Sequence, residues 1–157
     1  MPTVHDVIVL LVHLVLLVIG GVLTVIDART HRLPNRIVLP TLAGLGVLVI
    51  AEAIFLADAT RLVRALGGMV ILAVFYGVLR MISASGMGGG DVKLAAVIGL
   101  LLGWHGWQQL AVGAAAAFVL GALYALALVA MRRADGSTRI AFGPWMILGA
   151  AWGVVGV

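Results

Sequence analysis

Cysteine is absent from the 157-residue chain, and Asp, Glu, Lys and Arg together make up only 10% of it. Without cysteine, a disulfide framework, a thiol nucleophile and a cysteine-ligated zinc site are excluded. Histidines occur at four scattered positions, without the i, i+4 spacing of a metal site on one helix. They are His5, His13, His31 and His105. The sequence therefore predicts no metal and no other cofactor.

Long apolar runs dominate the rest of the sequence. Hydrophobic residues account for 64% of the chain and the mean hydropathy is +1.24, far above the range of an ordinary soluble domain. Runs of about 20 apolar residues, each long enough to cross a bilayer, recur from end to end. We predict an all-α, polytopic transmembrane helical bundle that forms a single domain over residues 1–157. The first residues, MPTVHDVIVLL, lack a basic n-region and a cleavage site, so we expect a retained first span.

Windows of about 19 residues place six spans in the chain. They lie near 4–26, 37–57, 62–82, 92–107, 108–131 and 140–157. The fourth is the weakest, because the chain then reaches WHGWQQ, whose tryptophans suit the membrane interface. We expect this span to be short, tilted or partly re-entrant. The glycine pairs Gly99/Gly103 and Gly149/Gly153 indicate helices that pack closely.

Basic residues are distributed unevenly between the loops on the two sides of these spans. The first, third and fifth loops hold eight of the ten lysines and arginines, whereas the opposite side has only Arg61 and Arg64. This excess predicts that these three loops face the cytoplasm, together with Asp27 and Asp91, and that both termini face outward. The positive charge is spread over short loops and not along one face. It therefore predicts contact with the lipid head groups of the bilayer and not with nucleic acid.

Four of the six acidic residues lie outside any turn-forming motif. Three of them fall at span ends or in polar loops, where a solvated charge is expected. They are Asp6, Asp58 and Asp135. Glu52 lies toward the outer end of the second span, where an acid is a functional candidate. Alternatively, Glu52 reaches the outer interface or pairs with Arg61 or Arg64.

Asp27 and Asp91 stand out as a pair. Each borders a long apolar span within turn-forming sequence, IDARTHRLPN and GMGGGD respectively. Singly, they are explained as a helix-ending acid and a helix N-cap. Together they match aspartic proteolysis, in which an ionised carboxylate takes a proton from water while a protonated one polarises the scissile carbonyl. Gly88 and Gly90 then leave room for an extended substrate and tolerate positive φ, although a hinge or close helix contact is the ordinary alternative.

Three segments together resemble the prepilin peptidase family, the membrane aspartic proteases that process type IV pilins, pseudopilins and archaeal preflagellins. The segments are IDARTHRLPNRIVLP (26–40), GMGGGDVKLAAVIGLLLGW (86–104) and IAFGPWMILGAAWG (140–153). Their order and spacing match along nearly the whole chain after its first span. The GxGD motif alone is less specific, because presenilin and signal peptide peptidase share it.

The resemblance implies that Asp27 and Asp91 are the catalytic pair, and that Gly88 and Gly90 belong to the motif around the second acid. It also implies motif residues after the first acid and at the start of the last span. These are Pro34, Asn35, Phe142, Gly143 and Pro144. Their ordinary explanation is a turn before the second span and a loop entering the last one. The implied substrate is a prepilin-like membrane protein. Its short basic leader is cut after a glycine, just before a hydrophobic helix, at the cytoplasmic face of the cell membrane.

The chain departs from the bifunctional members of the family in one respect. Many of them carry a cytoplasmic insertion with paired cysteines between the first spans, and they also N-methylate the new terminus. Here only the ten residues 27–36 connect the first two spans. We therefore predict an aspartic endopeptidase without methyltransferase activity, similar to the short stand-alone members.

Helix dipoles predict how the two acids share one proton. Asp91 is expected at the N-terminus of the fourth helix, which favours the anion, and Asp27 at the C-terminus of the first, which disfavours it. We therefore expect Asp27 to hold the proton in the resting enzyme. Lys93 lies about 200° around the helix from Asp91, so we expect it to reach lipid phosphate.

Two other functions are compatible with the composition. One is a small ion-coupled or proton-coupled transporter that uses Glu52, Asp27 or Asp91, although such charges are expected nearer the bilayer centre. The other is a non-catalytic subunit of a pilus or secretion assembly, in which the glycine-rich helices serve only association. The sequence identifies neither the particular pilin-like substrate nor the oligomeric state.

Overall fold

Six α-helices build the computed structural model, which describes residues 4–82, 87–132 and 140–156. They are α1 (Val4–Thr30), α2 (Asn35–Phe55), α3 (Ala59–Ile82), α4 (Gly89–His105), α5 (Trp107–Ala130) and α6 (Gly143–Val155). No strand occurs in these described ranges. The prediction of an all-α bundle with about six spans is confirmed.

The helices differ in whether they are long enough to cross a bilayer. α1, α2, α3 and α5 meet the requirement of length and apolar composition. α4 and α6 have 17 and 13 residues, or about 25 and 20 Å at 1.5 Å per residue. α4 is the span expected to be short. α6 is shorter than the predicted span because Phe142 is its N-cap and Pro144 stands in its first turn, so the helix begins at Gly143.

Helix α4 occupies the centre of the bundle. It packs against α2, α3, α5 and α6, and most of its residues are buried. By contrast, α1 packs mainly against α6 and exposes a series of leucine and valine side chains on its outer surface. The acid in the first turn of α4, Asp91, is therefore surrounded by protein.

Glycines bring neighbouring helices into close contact. A Cβ atom on Gly68 of α3 would lie 2.5 Å from the carbonyl oxygen of Gly99 in α4. In the same way, a Cβ atom on Gly149 of α6 would lie 2.5 Å from the carbonyl oxygen of Gly113 in α5. Comparable backbone contacts involve Gly103 and Gly153. The two predicted glycine pairs thus serve helix packing, as small residues do in membrane bundles.

Short connections bring specific helix ends together. Residues 31–34 join α1 to α2, and residues 56–58 join α2 to α3. The C-terminus of α1 and the N-termini of α2, α4 and α6 consequently meet at one end of the bundle, which holds Asp27 and Asp91 and is called the aspartate end below. The N-terminus of α1 and the C-terminus of α4 lie at the other end. That end holds His5, His13 and His105 and is called the histidine end.

Candidate active site

Two carboxylates are buried at the aspartate end. Asp27 and Asp91 have exposed fractions of 4% and 8%, and they are the buried charged residues among those that the structure describes. Burying a carboxylate is costly unless hydrogen bonds compensate it. Each of the two has such a bond, and in each case the donor is a backbone N–H.

Asp27 lies in the last turn of α1 and points toward the N-terminus of α6. Its Oδ2 accepts a hydrogen bond of 2.9 Å from the N–H of Gly143, the first residue of α6. A Cβ atom on Gly143 would lie 2.6 Å from the same oxygen, so only glycine leaves room for the carboxylate. Helix α1 ends directly after this turn, because His31 adopts a left-handed conformation with φ of 50°.

Asp91 lies in the first turn of α4. Its Oδ2 accepts a hydrogen bond of 2.8 Å from the N–H of Gly88, which precedes the helix. The carboxyl group of Asp91 is also close enough to interact electrostatically with Asp27. The structure thus brings together two acids that the sequence places on different helices.

The glycines around Asp91 have roles that differ from the expected ones. A Cβ atom on Gly90 would lie 2.7 Å from the Cβ of Leu33, so Gly90 allows the N-terminus of α4 to pack on the segment between α1 and α2. Among the described residues no glycine has positive φ, so the expected left-handed conformation is not used at Gly88 or Gly90. A Cβ atom added at Gly88 would make only an ordinary van der Waals contact with the Asp91 carboxylate.

A residue in the motif that follows Asp27 forms a hydrogen bond with a residue that follows Asp91. Pro34 is the N-cap of α2 and Asn35 is its first residue. The Oδ1 atom of Asn35 accepts a hydrogen bond of 2.8 Å from Nζ of Lys93 in α4. Lys93, which was expected to reach lipid phosphate, thus has a protein acceptor on α2 that the sequence did not predict.

Aromatic rings support the segment that donates to Asp27. The Phe142 ring lies 5.2 Å from that of Phe118 and 6.0 Å from that of Tyr76, measured between centroids. Pro144 follows in the first turn of α6, where its fixed φ suits the helix start. Phe142, Gly143 and Pro144 together fix the N-terminus of α6 over Asp27.

This arrangement has the chemistry of an acid–base pair. When two carboxylates are buried close together, ionising both is unfavourable, and such a pair can share one proton. Such a pair can take a proton from water and give one to a carbonyl oxygen. Within the described residues, no group of three or more His, Asp or Glu is placed to hold a metal ion.

Comparison with known proteins supplies the family. The profile of the type IV leader peptidase family matches residues 14–126, which include both buried aspartates. The chain belongs to the type IV leader peptidase family.

Curated members of this family cover most of the chain. The prepilin leader peptidase/N-methyltransferase of Escherichia coli (strain K12) is 36% identical over 135 residues, covering 82% of this chain and 55% of that protein. Proteins of the same name from Pectobacterium carotovorum subsp. carotovorum and Stutzerimonas stutzeri are 32% and 33% identical, over 90% and 83% of this chain. The matches cover 50% and 44% of those two proteins. The chain thus spans about half the length of the curated relatives it matches. No solved structure matches it significantly.

Two residues of this leader peptidase family member were missed by sequence analysis. Tyr76 is buried with an exposed fraction of 1%, and it interacts electrostatically with Asp91. Arg80, one turn later on α3, also interacts electrostatically with Asp91, and its guanidinium group contacts Gly89. The signal was present in the sequence, because a tyrosine and an arginine four residues apart in an apolar helix share one face.

Two further expectations for this leader peptidase family member are corrected by the structure. Glu52 pairs with neither Arg61 nor Arg64. Its Oε1 lies 3.2 Å from Nε2 of His5, because Arg61 pairs with Asp58 and Arg64 donates to carbonyl oxygens at the end of α4.

The sequence predicted that a helix dipole would stabilise the anion of Asp91 and disfavour that of Asp27, and the structure does not show this difference. Asp27 does close the C-terminal end of α1, yet its carboxylate accepts an N–H at the N-terminus of α6. Asp91 accepts an N–H at the N-terminus of α4. Both anions are therefore stabilised by a helix N-terminus. The helix-dipole argument for placing the proton on Asp27 therefore no longer distinguishes the two acids.

Proposed function

We propose that this chain is an aspartic endopeptidase that removes the leader of a prepilin-like or pseudopilin substrate, with Asp27 and Asp91 as its catalytic residues. The observation that carries the proposal is the burial of these two acids at the same end of the bundle, within electrostatic range of each other and each bonded to one backbone N–H. The name of the curated relatives, prepilin leader peptidase, supports the same activity.

In the proposed reaction, the ionised carboxylate takes a proton from a water molecule held between the two acids. The water oxygen bonds to the scissile carbonyl carbon while the protonated carboxyl gives its proton to the carbonyl oxygen, which forms a neutral gem-diol. One carboxyl then protonates the leaving nitrogen while the other, ionised, takes the proton of one gem-diol hydroxyl, and the C–N bond breaks to give a carboxylic acid and an amine. Gly143 and Gly88 keep the two carboxylates in place through both steps.

Further residues have supporting roles in this proposal. Gly90 allows α4 to pack against the segment after Asp27, and the bond between Asn35 and Lys93 fixes α2 against α4. Pro34 and Pro144 define where α2 and α6 begin. These contacts fix the helices that carry the two acids, and catalysis depends on such positioning.

We further propose that the aspartate end faces the cytoplasm and that the 157 residues carry no methyltransferase activity. The excess of basic residues in the first, third and fifth loops supports this orientation. The longest connection between helices is residues 131–142, which is far too short for a cofactor-binding domain. A substrate helix in the bilayer can then present its leader at the inner face.

Leader removal from a co-expressed substrate tests this proposal. The substrate carries a short basic leader, a glycine and a hydrophobic helix, and intact mass reports both cleavage and methylation. Asp27→Asn and Asp91→Asn should each lower cleavage by about 10³-fold, because each removes one member of the acid–base pair. The product of the wild type should be unmethylated.

Glu52→Gln is the matched control, because it changes a carboxyl to an amide at the histidine end. It should cleave at the wild-type rate. Wild-type cleavage by either aspartate variant would reject the protease and leave the transporter or the assembly subunit as the better explanation.

A further inference from the structure

A second polar site lies at the histidine end of the bundle. A cavity of about 670 Å³ opens there between the N-termini of α1 and α3 and the C-termini of α2 and α4. Its titratable and charged lining residues are His5, Asp6, His13, Glu52, Asp58, Arg61, Arg64 and His105. None of them takes part in the proposed proteolysis.

The δ nitrogens of two histidines are fixed by backbone carbonyl groups. Nδ1 of His13 lies 2.7 Å from the carbonyl oxygen of Val9, and Nδ1 of His105 lies 2.9 Å from that of Leu101. A carbonyl oxygen only accepts hydrogen bonds, so each Nδ1 must carry the hydrogen. A neutral imidazole has one N–H. In the neutral form, each ring therefore has a bare lone pair on Nε2.

The two ε nitrogens point at each other. Nε2 of His13 lies 3.1 Å from Nε2 of His105, and the rings are inclined at 84°. Two bare lone pairs at this distance repel, whereas a hydrogen-bonded contact of this length needs one hydrogen between them. Because both Nδ1 positions already hold theirs, that hydrogen is an additional proton, and the pair carries one positive charge.

The surroundings of His105 act on a positive charge there in both directions, and the largest of these effects, burial, disfavours the charge. His105 is the last residue of α4, where the helix dipole stabilises a cation. Glu52 acts on His105 in the same sense, while Arg64 opposes it. Arg64, however, donates to the carbonyl oxygens of Gly103 and Trp104, which offsets part of its charge locally.

The charge balance of the cavity leaves room for one proton on a lining histidine. Its carboxylates are Asp6, Glu52 and Asp58, and its guanidinium groups are Arg61 and Arg64. With all histidines neutral, the lining is one positive charge short of neutrality. A single proton on one of the lining histidines supplies that charge, either on His5, which lies 3.2 Å from Glu52, or between His13 and His105, whose ε nitrogens face each other.

We propose that His13 and His105 form a proton-binding site that holds one proton between their Nε2 atoms and thereby fastens α1 to α4. These are the two helices that carry Asp27 and Asp91 at the opposite end. The link is strongest when the pair holds one proton. A second proton places two cations side by side, and loss of the shared proton leaves two facing lone pairs.

The ring nitrogens report the shared proton directly. Nitrogen NMR of histidine-labelled full-length chain in lipid nanodiscs, treated with a chelator, should show both Nδ1 atoms protonated near neutral pH. The two Nε2 signals should lie between the bare and the protonated values. The pair should then take up a second proton only in a separate, more acidic step. His5 and His31 give internal reference signals.

Variants separate the shared proton from simple packing. His13→Ala should be less thermally stable than the wild type. The difference in stability should be largest near neutral pH and should shrink toward both acid and alkaline pH. His13→Gln should keep the link without this pH dependence, because its amide N–H can donate to the bare Nε2 of His105. His5→Gln is the control in the same cavity and should retain the wild-type profile.

Three results would overturn the proposal. The first is a bare Nδ1 on either ring at neutral pH, since the pair would then bond without an extra proton. The second is independent titration of the two rings as ordinary imidazoles. The third is a stoichiometric Zn²⁺ ion that binds to the chelated wild type and not to His13→Ala, which would make the pair a metal site.

Discussion

The aspartate end and the histidine end each hold two titratable side chains from α1 and α4, but the backbone orients them differently. The donor to Asp27 lies 116 positions away in sequence, at the start of α6. Each histidine ring instead donates to a carbonyl four positions earlier in its own helix. Asp27 is therefore sensitive to how whole helices dock. Asp91, which accepts from Gly88 three positions earlier, and the two rings are oriented locally and depend on docking only for their contacts with the opposite helix.

This difference predicts that small changes in helix docking affect the aspartate end most. Gly143→Ala places a methyl group where only 2.6 Å separate the Cβ position from Oδ2 of Asp27. The carboxylate must leave its position against the N–H of Gly143, so leader cleavage should fall by about 100-fold. The free energy of unfolding should change by only about 1–3 kcal/mol. Cleavage kinetics and thermal unfolding measure the two effects separately.

Gly44→Ala is the matched control on α2, because a Cβ atom there meets nothing within 4 Å. It should leave cleavage unchanged and stabilise the helix slightly. Wild-type cleavage by Gly143→Ala would show that the N–H of Gly143 does not position Asp27.

A smaller effect is expected from the bond between Asn35 and Lys93. This bond is solvent-exposed, so Asn35→Ala and Lys93→Met should each lower kcat by roughly fivefold, equivalent to about 1 kcal/mol. The double variant should be no worse than either single one, because both remove the same interaction. Asn35→Asp keeps an acceptor for Lys93 and should restore most of kcat.

The KM for the substrate separates a positioning role from substrate binding. If the bond only positions α2 against α4, KM stays unchanged while kcat falls. Additive losses in the double variant, or a rise in KM alone, would show that the two side chains act separately.

The sequence predicted the helices well because the apolar runs are long and end at turn residues. It also placed Asp27 and Asp91 at one membrane face, because loop charge and span count define sidedness without any tertiary contact. The packing role of Gly99 and Gly149 followed from spacing alone. These features depend on local sequence, which can be analysed without knowing any tertiary contact.

The contacts that complete the site are long-range, and sequence spacing does not specify them. That the N–H of Gly143 reaches Asp27 depends on the docking of α6 on α1. That Lys93 meets Asn35 depends on the docking of α4 on α2, which the sequence does not specify. For Gly90 the sequence left room for a substrate and a close helix contact both open, because nothing in it places Leu33 against that residue. Tyr76 was missed because one hydroxyl hardly alters the apolar pattern of α3.

The most direct test of the central claim uses the absence of native cysteine. The double variant Asp27→Cys/Asp91→Cys, in membranes, is treated with a short-spacer bifunctional thiol reagent and examined by mass spectrometry. The pair Asp27→Cys/Glu52→Cys, whose members lie at opposite ends of the bundle, is the control. The structure predicts an efficient internal cross-link between positions 27 and 91 and none in the control. Two separately modified thiols without a cross-link between 27 and 91 would contradict a shared site for the two acids.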